Sequence, residues 1–288
     1  MSKLRIGFIG FGEAASHISK GLSAEGVTQI NALDIIARPK QSGVTIVRSI
    51  EELIATSDFI FSAVTCTVAL EVAKQAASYL NDRHLYIDIN SVSPETKITI
   101  GSLIKKSGAQ YVEAAVMASI PSFGHKVPML LSGDASDYLI KTLEPLGMKL
   151  EDCGPELGRA SAFKMFRSIM IKGMEALFQE CVLGAEQYGI AKKVFDSVSD
   201  GYPGVDWDQM AHYLIGRTAI HGERRAHEMK EVANTLRDIG IEPIMAEATA
   251  KRIQWATNKG LKKTFPNEAP KDYRDVIKAI RAFDGNNT

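Results

Sequence analysis

Up to about residue 155 the chain alternates two kinds of hydrophobic pattern. Short apolar runs, many of them β-branched, occupy Leu4 to Ile9, Thr28 to Asp34, Phe59 to Val64, Leu85 to Ile89, Tyr111 to Val116 and Met129 to Leu131. Segments of helical period, such as Ala14 to Ala24 and Val68 to Ala77, separate them. Strands that are apolar on both faces must be covered on both faces, so this alternation predicts an α/β fold with a mainly parallel, doubly wound sheet of the Rossmann type.

After Gly154-Pro155 the pattern changes. From Gly158 to about Tyr188 no residue breaks a helix, and Phe163, Phe166, Ile169, Met170, Gly173, Met174, Leu177 and Cys181 recur at helical spacing. At 1.5 Å per residue this predicts a helix of roughly 45 Å. Further helical segments are expected near 206–239, 243–260 and 270–283, divided by Gly240-Ile-Glu-Pro243 and by the stretch from Pro266 to Pro270. No strand is needed there. The expected organisation is a sheet domain over 1–157 and an all-α domain over 158–288 that carries substrate and dimer contacts.

Composition narrows the function classes. The 288 residues include 34 Lys and Arg against 34 Asp and Glu, which excludes a strongly basic nucleic-acid binder. Three separated cysteines, Cys66, Cys153 and Cys181, favour a reducing compartment over a disulfide framework. The start, Met1-Ser-Lys-Leu-Arg-Ile-Gly7, lacks a signal-peptide pattern, and no apolar run approaches a membrane span of about 18 residues. A cytoplasmic protein with no membrane or nucleic-acid partner is expected. The six histidines show no zinc-ligand spacing with one another or with the cysteines, so no metal site is expected.

Gly10-Phe11-Gly12-Glu13-Ala14-Ala15 follows the first strand and opens a helix, giving Gly-x-Gly-x-x-Ala in strand–turn–helix context. The first glycine permits the tight turn, the second lets backbone approach a pyrophosphate, and the small Ala15 allows close helix packing. A dinucleotide site is expected there, the alternative being a merely tight turn. Asp34 ends the second strand, placed to accept from an adenosine ribose and to repel a 2′-phosphate. That favours NAD, with NADP kept open because Arg38 and Lys40 follow closely. Val64, Thr65 and Cys66 close another strand and are assigned through their backbone to the cofactor rim, with Asn90 beside them.

At these residues the chain resembles the β-hydroxyacid dehydrogenase superfamily, which includes 3-hydroxyisobutyrate, tartronate semialdehyde and 6-phosphogluconate dehydrogenases. Asp88-Ile-Asn-Ser91-Val-Ser-Pro94 is similar to the family segment near the nicotinamide. Glu113-Ala-Ala-Val-Met-Ala-Ser119 is similar to its substrate segment, and Gly158-Arg-Ala-Ser-Ala-Phe-Lys164 to the Gly-x-Gly-x-x-x-Lys segment that carries its catalytic lysine. The stretch His221-Gly-Glu-Arg-Arg225-Ala-His-Glu-Met229 resembles a subgroup described as phosphogluconate-dehydrogenase-like. The resemblance implies an NAD(P)-dependent enzyme that moves a hydride between the nicotinamide and a small β-hydroxy acid or sugar acid. Lys164 would then be the general acid/base and Ser91 would orient the reacting oxygen. The substrate would be held by Ser91, Met117, Ala118, Ser119, Lys164, Arg167 and Ser168 in a cleft between the domains.

The chain departs from the family where substrate is bound. Met117 stands where the family has serine, Ala118 and Ser119 replace its two glycines, and Ser168 replaces the asparagine four residues after the lysine. The family's late Lys-Asp pair falls on His227 and Glu228. Other readings stay open: an imine reductase on the same fold, which retention of Lys164 disfavours, and a non-catalytic NAD(P)-binding sensor. His221, Arg224, Arg225, His227 and Glu228 share a helical segment and are expected to form a solvated, salt-bridged face, an anion-binding role being the alternative. Met165, Met170 and Met174 are expected in the core. The long apolar helix and the resemblance together predict a homodimer through the helical domain.

Overall fold

The computed structural model describes residues 4–37, 39 and 41–285, and the chain divides into two compact units, Met1–Lys164 and Met165–Thr288. The first holds strands β1 (Arg5–Ile9), β2 (Gln29–Leu33), β3 (Thr45–Ile46), β4 (Phe59–Ser62), β5 (Leu85–Asp88), β6 (Gln110–Val116), β7 (Pro128–Ser132) and β8 (Lys149–Asp152). Its helices are α1 (Glu13–Ala24), α2 (Ile50–Ala55), α3 (Ala69–Ala77), α4 (Pro94–Lys106), α5 (Ile120–Phe123), α6 (Ser136–Leu143) and the first turns of α7 (Arg159–Ala185). The second unit holds the rest of α7 with α8 (Ala191–Gly201), α9 (Trp207–Asp238), α10 (Ile244–Thr257), α11 (Leu261–Thr264) and α12 (Tyr273–Gly285).

All eight strands form one sheet in the order β3-β2-β1-β4-β5-β6-β7-β8. Strands β1 to β6 are parallel, β7 runs antiparallel to β6, and β8 follows the direction of β7. The doubly wound expectation therefore holds, with two reversed strands added at one side. β3 and β8 carry no readable signal: the first is two exposed residues and the second, Lys-Leu-Glu-Asp, is mostly polar. α8 escapes sequence reading for a similar reason, since only Ala191 and Phe195 are buried along it.

The period of two decides how the sheet is covered. Phe59 and Phe61 face one core with Leu85, Ile87 and Val112, while Ile60, Tyr86 and Tyr111 face the other with Leu53, Ile100 and Ile104. Burying both faces is what makes these strands continuously apolar.

Against that background four polar residues stand out inside the second face. Asp88 and Lys97 are both essentially unexposed, and Lys97 Nζ lies 2.9 Å from Asp88 Oδ1 and donates to the Asp88 carbonyl at 2.8 Å. Tyr111 donates its hydroxyl to Asp88 Oδ2 at 3.1 Å, and burial beside these carboxylates pushes its phenol well above the ordinary value. Glu113 sits opposite Asp88 in the register of β5 and β6. Buried charges persist only when paired and hydrogen-bonded, and here each carboxylate is.

Glu113 does a second thing. Its Oε2 accepts from the Gly158 amide at 2.7 Å and its Oε1 from the Ser161 amide at 3.0 Å, while Ser132 Oγ accepts from the Ala160 amide at 3.1 Å. The opening amides of a helix have no partner within it, and a carboxylate there also meets the positive end of the helix dipole. A strand residue 45 positions away thus caps α7. Gly158 makes the approach possible: its φ of +93° is a glycine conformation, and a Cβ would lie 3.2 Å from Ile98 and 3.3 Å from Pro94. These anchors explain why the sheet unit runs through Lys164 rather than stopping where the helix begins.

In the second unit α9 packs along α10 and shares a buried polar seam with α7. Arg225 donates from Nε to Glu175 Oε1 at 3.1 Å and from Nη2 to Oε2. Thr218 also donates to Glu175, and Gln179 donates to Thr218 at 2.8 Å. This corrects the expectation of a wholly solvated charged face over residues 221–228, because Arg225 is 4% exposed. Its partner lies on another helix, 50 residues earlier, where helical spacing on α9 cannot see it. A second correction concerns Met170, which is 64% exposed, whereas Met165 is buried and Met174 packs on the core.

Burial holds the Glu113 carboxyl above its ordinary range, against the opposing pull of Lys97 and of the three backbone amides. A folded pKa above the unfolded one means that stability from this group is complete below the unfolded pKa and is lost as pH rises through the folded value. Stability measured by urea should therefore fall less between pH 4 and pH 8 in Glu113→Gln than in the parent. Glu113→Ala should cost about 3 kcal/mol by stranding two buried amides and should speed hydrogen exchange at Gly158 and Ser161. Unchanged exchange at both amides would show that Glu113 does not anchor α7.

Candidate functional site

Parallel strands end at a common edge, and the turns after β1, β2, β4, β5 and β6 lie along it. The register pairs Ile9 with Leu33 and with Ser62, Ser62 with Asp88, and Asp88 with Glu113, so these turns are level except that β6 runs three residues further, to Val116. The sheet order reverses between β1 and β4, the place where open α/β sheets leave a crevice at their carboxyl edge.

The glycine turn sits at that point. Gly10 has φ +85°, and a Cβ there would fall 2.5 Å from the Ala63 carbonyl oxygen, so only glycine fits between β1 and β4. Gly12 is the residue before α1 and has no side chain to cap it, which leaves the first-turn amides of α1 without a side-chain partner. Ala15 is fully buried, Ala14 half-buried and Glu13 exposed. The Phe11 side chain is buried, so that residue faces a ligand only through its backbone. These features fit a pyrophosphate: small backbone, unspent amides and a helix dipole of the right sign. Glu13 is the one opposing charge in that first turn.

Asp34 lies just beyond β2 and is already engaged with this turn. Its Oδ2 accepts from the Phe11 amide at 2.9 Å and its Oδ1 from the Ile36 amide at 2.9 Å. The carboxylate expected to accept from a ribose thus also braces the glycine turn. Arg38 and Lys40, the cations that kept NADP open, lie outside the described residues.

Asn90 also acts on its neighbours. Its Oδ1 accepts from the Val64 amide at 2.7 Å, and its Nδ2 donates to Ser62 Oγ at 2.9 Å. Both ends of the amide are spent on the turn after β4, which assigns it to shaping the rim formed by Val64, exposed Thr65 and half-buried Cys66. Ser91, the next residue, is half-buried.

Beyond β6, Met117 donates its amide to the Pro128 carbonyl at 2.9 Å and packs on Ala115, Leu130 and Ala160, while Ala118 and Ser119 are exposed. Lys164 lies half-buried on α7, one turn beyond Ala160. The first unit thus brings the glycine turn, Asp34, the β4 rim, Asn90, Ser91, residues 117–119 and Lys164 into one body. Arg167, exposed, and Ser168, which accepts from Lys172 at 3.3 Å, belong to the second unit.

Sequence reasoning missed the Asp88–Lys97 pair and the helix-capping role of Glu113. The available signal was an acidic residue inside each of two otherwise apolar strands, which is too costly to be incidental. Among the described residues no group of three or more His, Cys, Asp or Glu side chains could hold a metal ion, and no helix is long and apolar enough to cross a membrane.

Comparison with known proteins agrees with this architecture. Residues 5–91 match the family model of the coenzyme F420-dependent NADP oxidoreductases, and residues 185–256 match a domain of unknown function, DUF1932. A conserved hypothetical protein from Sinorhizobium meliloti 1021 is 35% identical with a TM-score of 0.80, the match covering 98% of this chain and 97% of that one. The conserved protein MTH1747, of unknown function and structurally similar to 3-hydroxyacid dehydrogenases, is 33% identical with a TM-score of 0.74, covering 90% of this chain and 97% of its own. The mitochondrial 3-hydroxyisobutyrate dehydrogenase of Drosophila melanogaster is 23% identical over 212 residues, 70% of this chain and 64% of that enzyme. A glycine turn at the switch point of a mainly parallel sheet, a following all-helical unit and these relatives place the chain in the β-hydroxyacid dehydrogenase superfamily, a group of NAD(P)-dependent oxidoreductases that act on CH–OH groups.

Proposed function

We propose that this chain interconverts a small β-hydroxy acid or sugar acid and its carbonyl counterpart, with NAD(H) as the preferred redox partner. The nicotinamide, when bound, supplies the two-electron chemistry. Gly10, Gly12 and the start of α1 hold the pyrophosphate, and Asp34 takes the adenosine ribose while bracing the Phe11 amide. Lys164 exchanges the proton of the reacting oxygen, and Ser91 orients that oxygen. The observation that carries this reading is the anchoring of α7: Glu113 and Ser132 fix its first turn to β6 and β7, which fixes the backbone from which Lys164 projects. A sensor that only bound nucleotide would need the glycine turn but not that anchor. Met117 supports a substrate pocket more apolar than the serine pattern gives, with Ser119 as its polar contact in the first unit.

The second unit supports self-association. On α7, Phe166, Met170 and Leu177 form an apolar stripe at helical spacing, 42%, 64% and 59% exposed. Apolar surface on this scale is covered in an assembly, and the reading is a homodimer through the helical unit. Light scattering should give twice the 31.4 kDa chain mass, with Leu177→Asp shifting the protein toward monomer. A parent protein monomeric at micromolar concentration would refute it.

Calorimetry should show NADH binding more tightly than NADPH. Asp34→Ala should narrow the gap but also loosen the glycine turn. Asp34→Asn keeps an acceptor for the Phe11 amide while removing the charge, so it should narrow the gap with a smaller loss of NADH affinity. Equal or tighter NADPH binding by the parent would sink the assignment.

Replacing Lys164 with methionine keeps the stem and removes the proton, so kcat should drop about 10²- to 10⁴-fold with little change in NADH affinity. Arginine at this position keeps charge but cannot readily release a proton, and should not restore turnover. The assay is a panel of hydroxy acids, sugar acids and phosphorylated acids with each nicotinamide. A methionine variant within threefold of the parent, with chemistry rate-limiting, would move the proton to another group.

A further inference from the structure

The second unit gathers positive charge that the proposed reaction does not use. On α9, Arg217, His221 and Arg224 follow at i, i+4 and i+7 and so share one face of the helix. Arg217 and His221 are half-buried and Arg224 is exposed. Arg217 Nη1 donates to the Tyr213 hydroxyl at 2.6 Å, and its guanidinium lies 5.4 Å from the centre of that ring, which holds the side chain along the helix.

What is missing around these groups is negative charge. Among the described residues neither Arg217 nor His221 has a carboxylate within 4.0 Å. Arg224 reaches Glu228 Oε1 at 3.5 Å while the buried Lys172 holds Oε2 of the same carboxylate at 2.7 Å, so one negative charge serves two cations. The charges that act on His221 come from Arg224, Arg217, Arg225 and Lys262, all cations, and with burial they hold its imidazole below the ordinary range. Arg225 is neutralised by Glu175, and Lys262 is turned to the Pro266 carbonyl at 2.8 Å. Arg217 thus has no carboxylate partner among the described residues and Arg224 only a share of Glu228, so positive charge exceeds negative along this face.

Positive charge beside half-buried Arg217 and His221 is screened less than on open surface. An oxyanion placed there balances the excess and gains charge-assisted bonds from two guanidinium groups and an imidazole N–H. We infer that this face of α9 is a binding site for a phosphoryl dianion, with Arg217 and Arg224 supplying the charge and His221 a hydrogen bond. The ligand is inorganic phosphate or the phosphate of a small ester. This inference goes beyond the hydride-transfer reading and stands without it.

The test is calorimetric titration of the full chain with inorganic phosphate and, separately, with 3-phosphoglycerate, at constant ionic strength in chloride and with saturating NADH. NADH occupies the anion position at the glycine turn, so phosphate bound in its presence lies elsewhere. Binding of one phosphate per chain is expected, weakened at least about tenfold, or 1.4 kcal/mol, by Arg217→Gln and by Arg224→Gln. Lys192→Gln, which removes an exposed ammonium paired with Asp196 on α8, should leave binding unchanged. A phosphate ester binding more tightly than phosphate, through the same arginines, identifies the ester as the ligand; equal affinities identify free phosphate. No binding, binding abolished by NADH, or binding as tight in both arginine variants as in the parent would overturn the site. Because Arg224 is 62% exposed, its variant folds and decides the matter even if Arg217→Gln does not. If NADH fails to bind at all, the nicotinamide reading falls while the arginine variants still decide this one.

Discussion

A single carboxylate ties the sheet to the helix that follows it. Glu113 leaves β6 into the buried side of the sheet and accepts two of the opening amides of α7, with Ser132 of β7 taking a third. Without these acceptors the start of a 27-residue helix would expose unsatisfied donors inside the fold. With them, the positive end of the helix is placed against a negative charge, and the backbone carrying Lys164 acquires a fixed origin. The cost is a carboxylate in a nearly dry site, offset by Lys97 and by the amides themselves.

The same economy governs the carboxyl edge of the sheet. Residues expected to touch a ligand mostly hold one another: Asp34 braces Phe11, and Asn90 joins the ends of β4 and β5 by bonding Val64 and Ser62. A binding loop whose amides are already oriented loses less entropy when a nucleotide arrives. Preorganisation of this kind couples the shape of the glycine turn to Asp34, the acidic residue at the end of β2.

The helical unit handles charge in two ways. Between α7 and α9, Glu175, Arg225, Thr218 and Gln179 form a buried polar seam in which charges are matched. On the neighbouring face of α9, Arg217 and Arg224 flank His221, and the carboxylate in reach, Glu228, is shared between Arg224 and Lys172. The first arrangement fixes how the two helices register; the second is available to an outside anion. Both come from one run of basic residues, and only their partners distinguish them.

Much of this was legible in the chain because it depends on local chemistry. Continuous apolar runs between helical segments determined a two-sided parallel sheet, Gly10 and Gly12 before α1 determined a tight turn between strand and helix, and the loss of strand pattern after Gly158 determined a helical second half. Each rests on a period or a backbone requirement contained within a dozen residues. The short edge strands β3 and β8 left no such trace, since two exposed residues and a polar tetrapeptide have no apolar face to reveal. What tertiary structure alone decided was pairing across distance: Glu113 with Gly158 and Ser161, Asp88 with Lys97, Arg225 with Glu175. A charge in an amphipathic segment reads as solvated until its partner is known, and the partner is chosen by packing, because desolvation makes an ion either a buried pair or a surface group and nothing local says which.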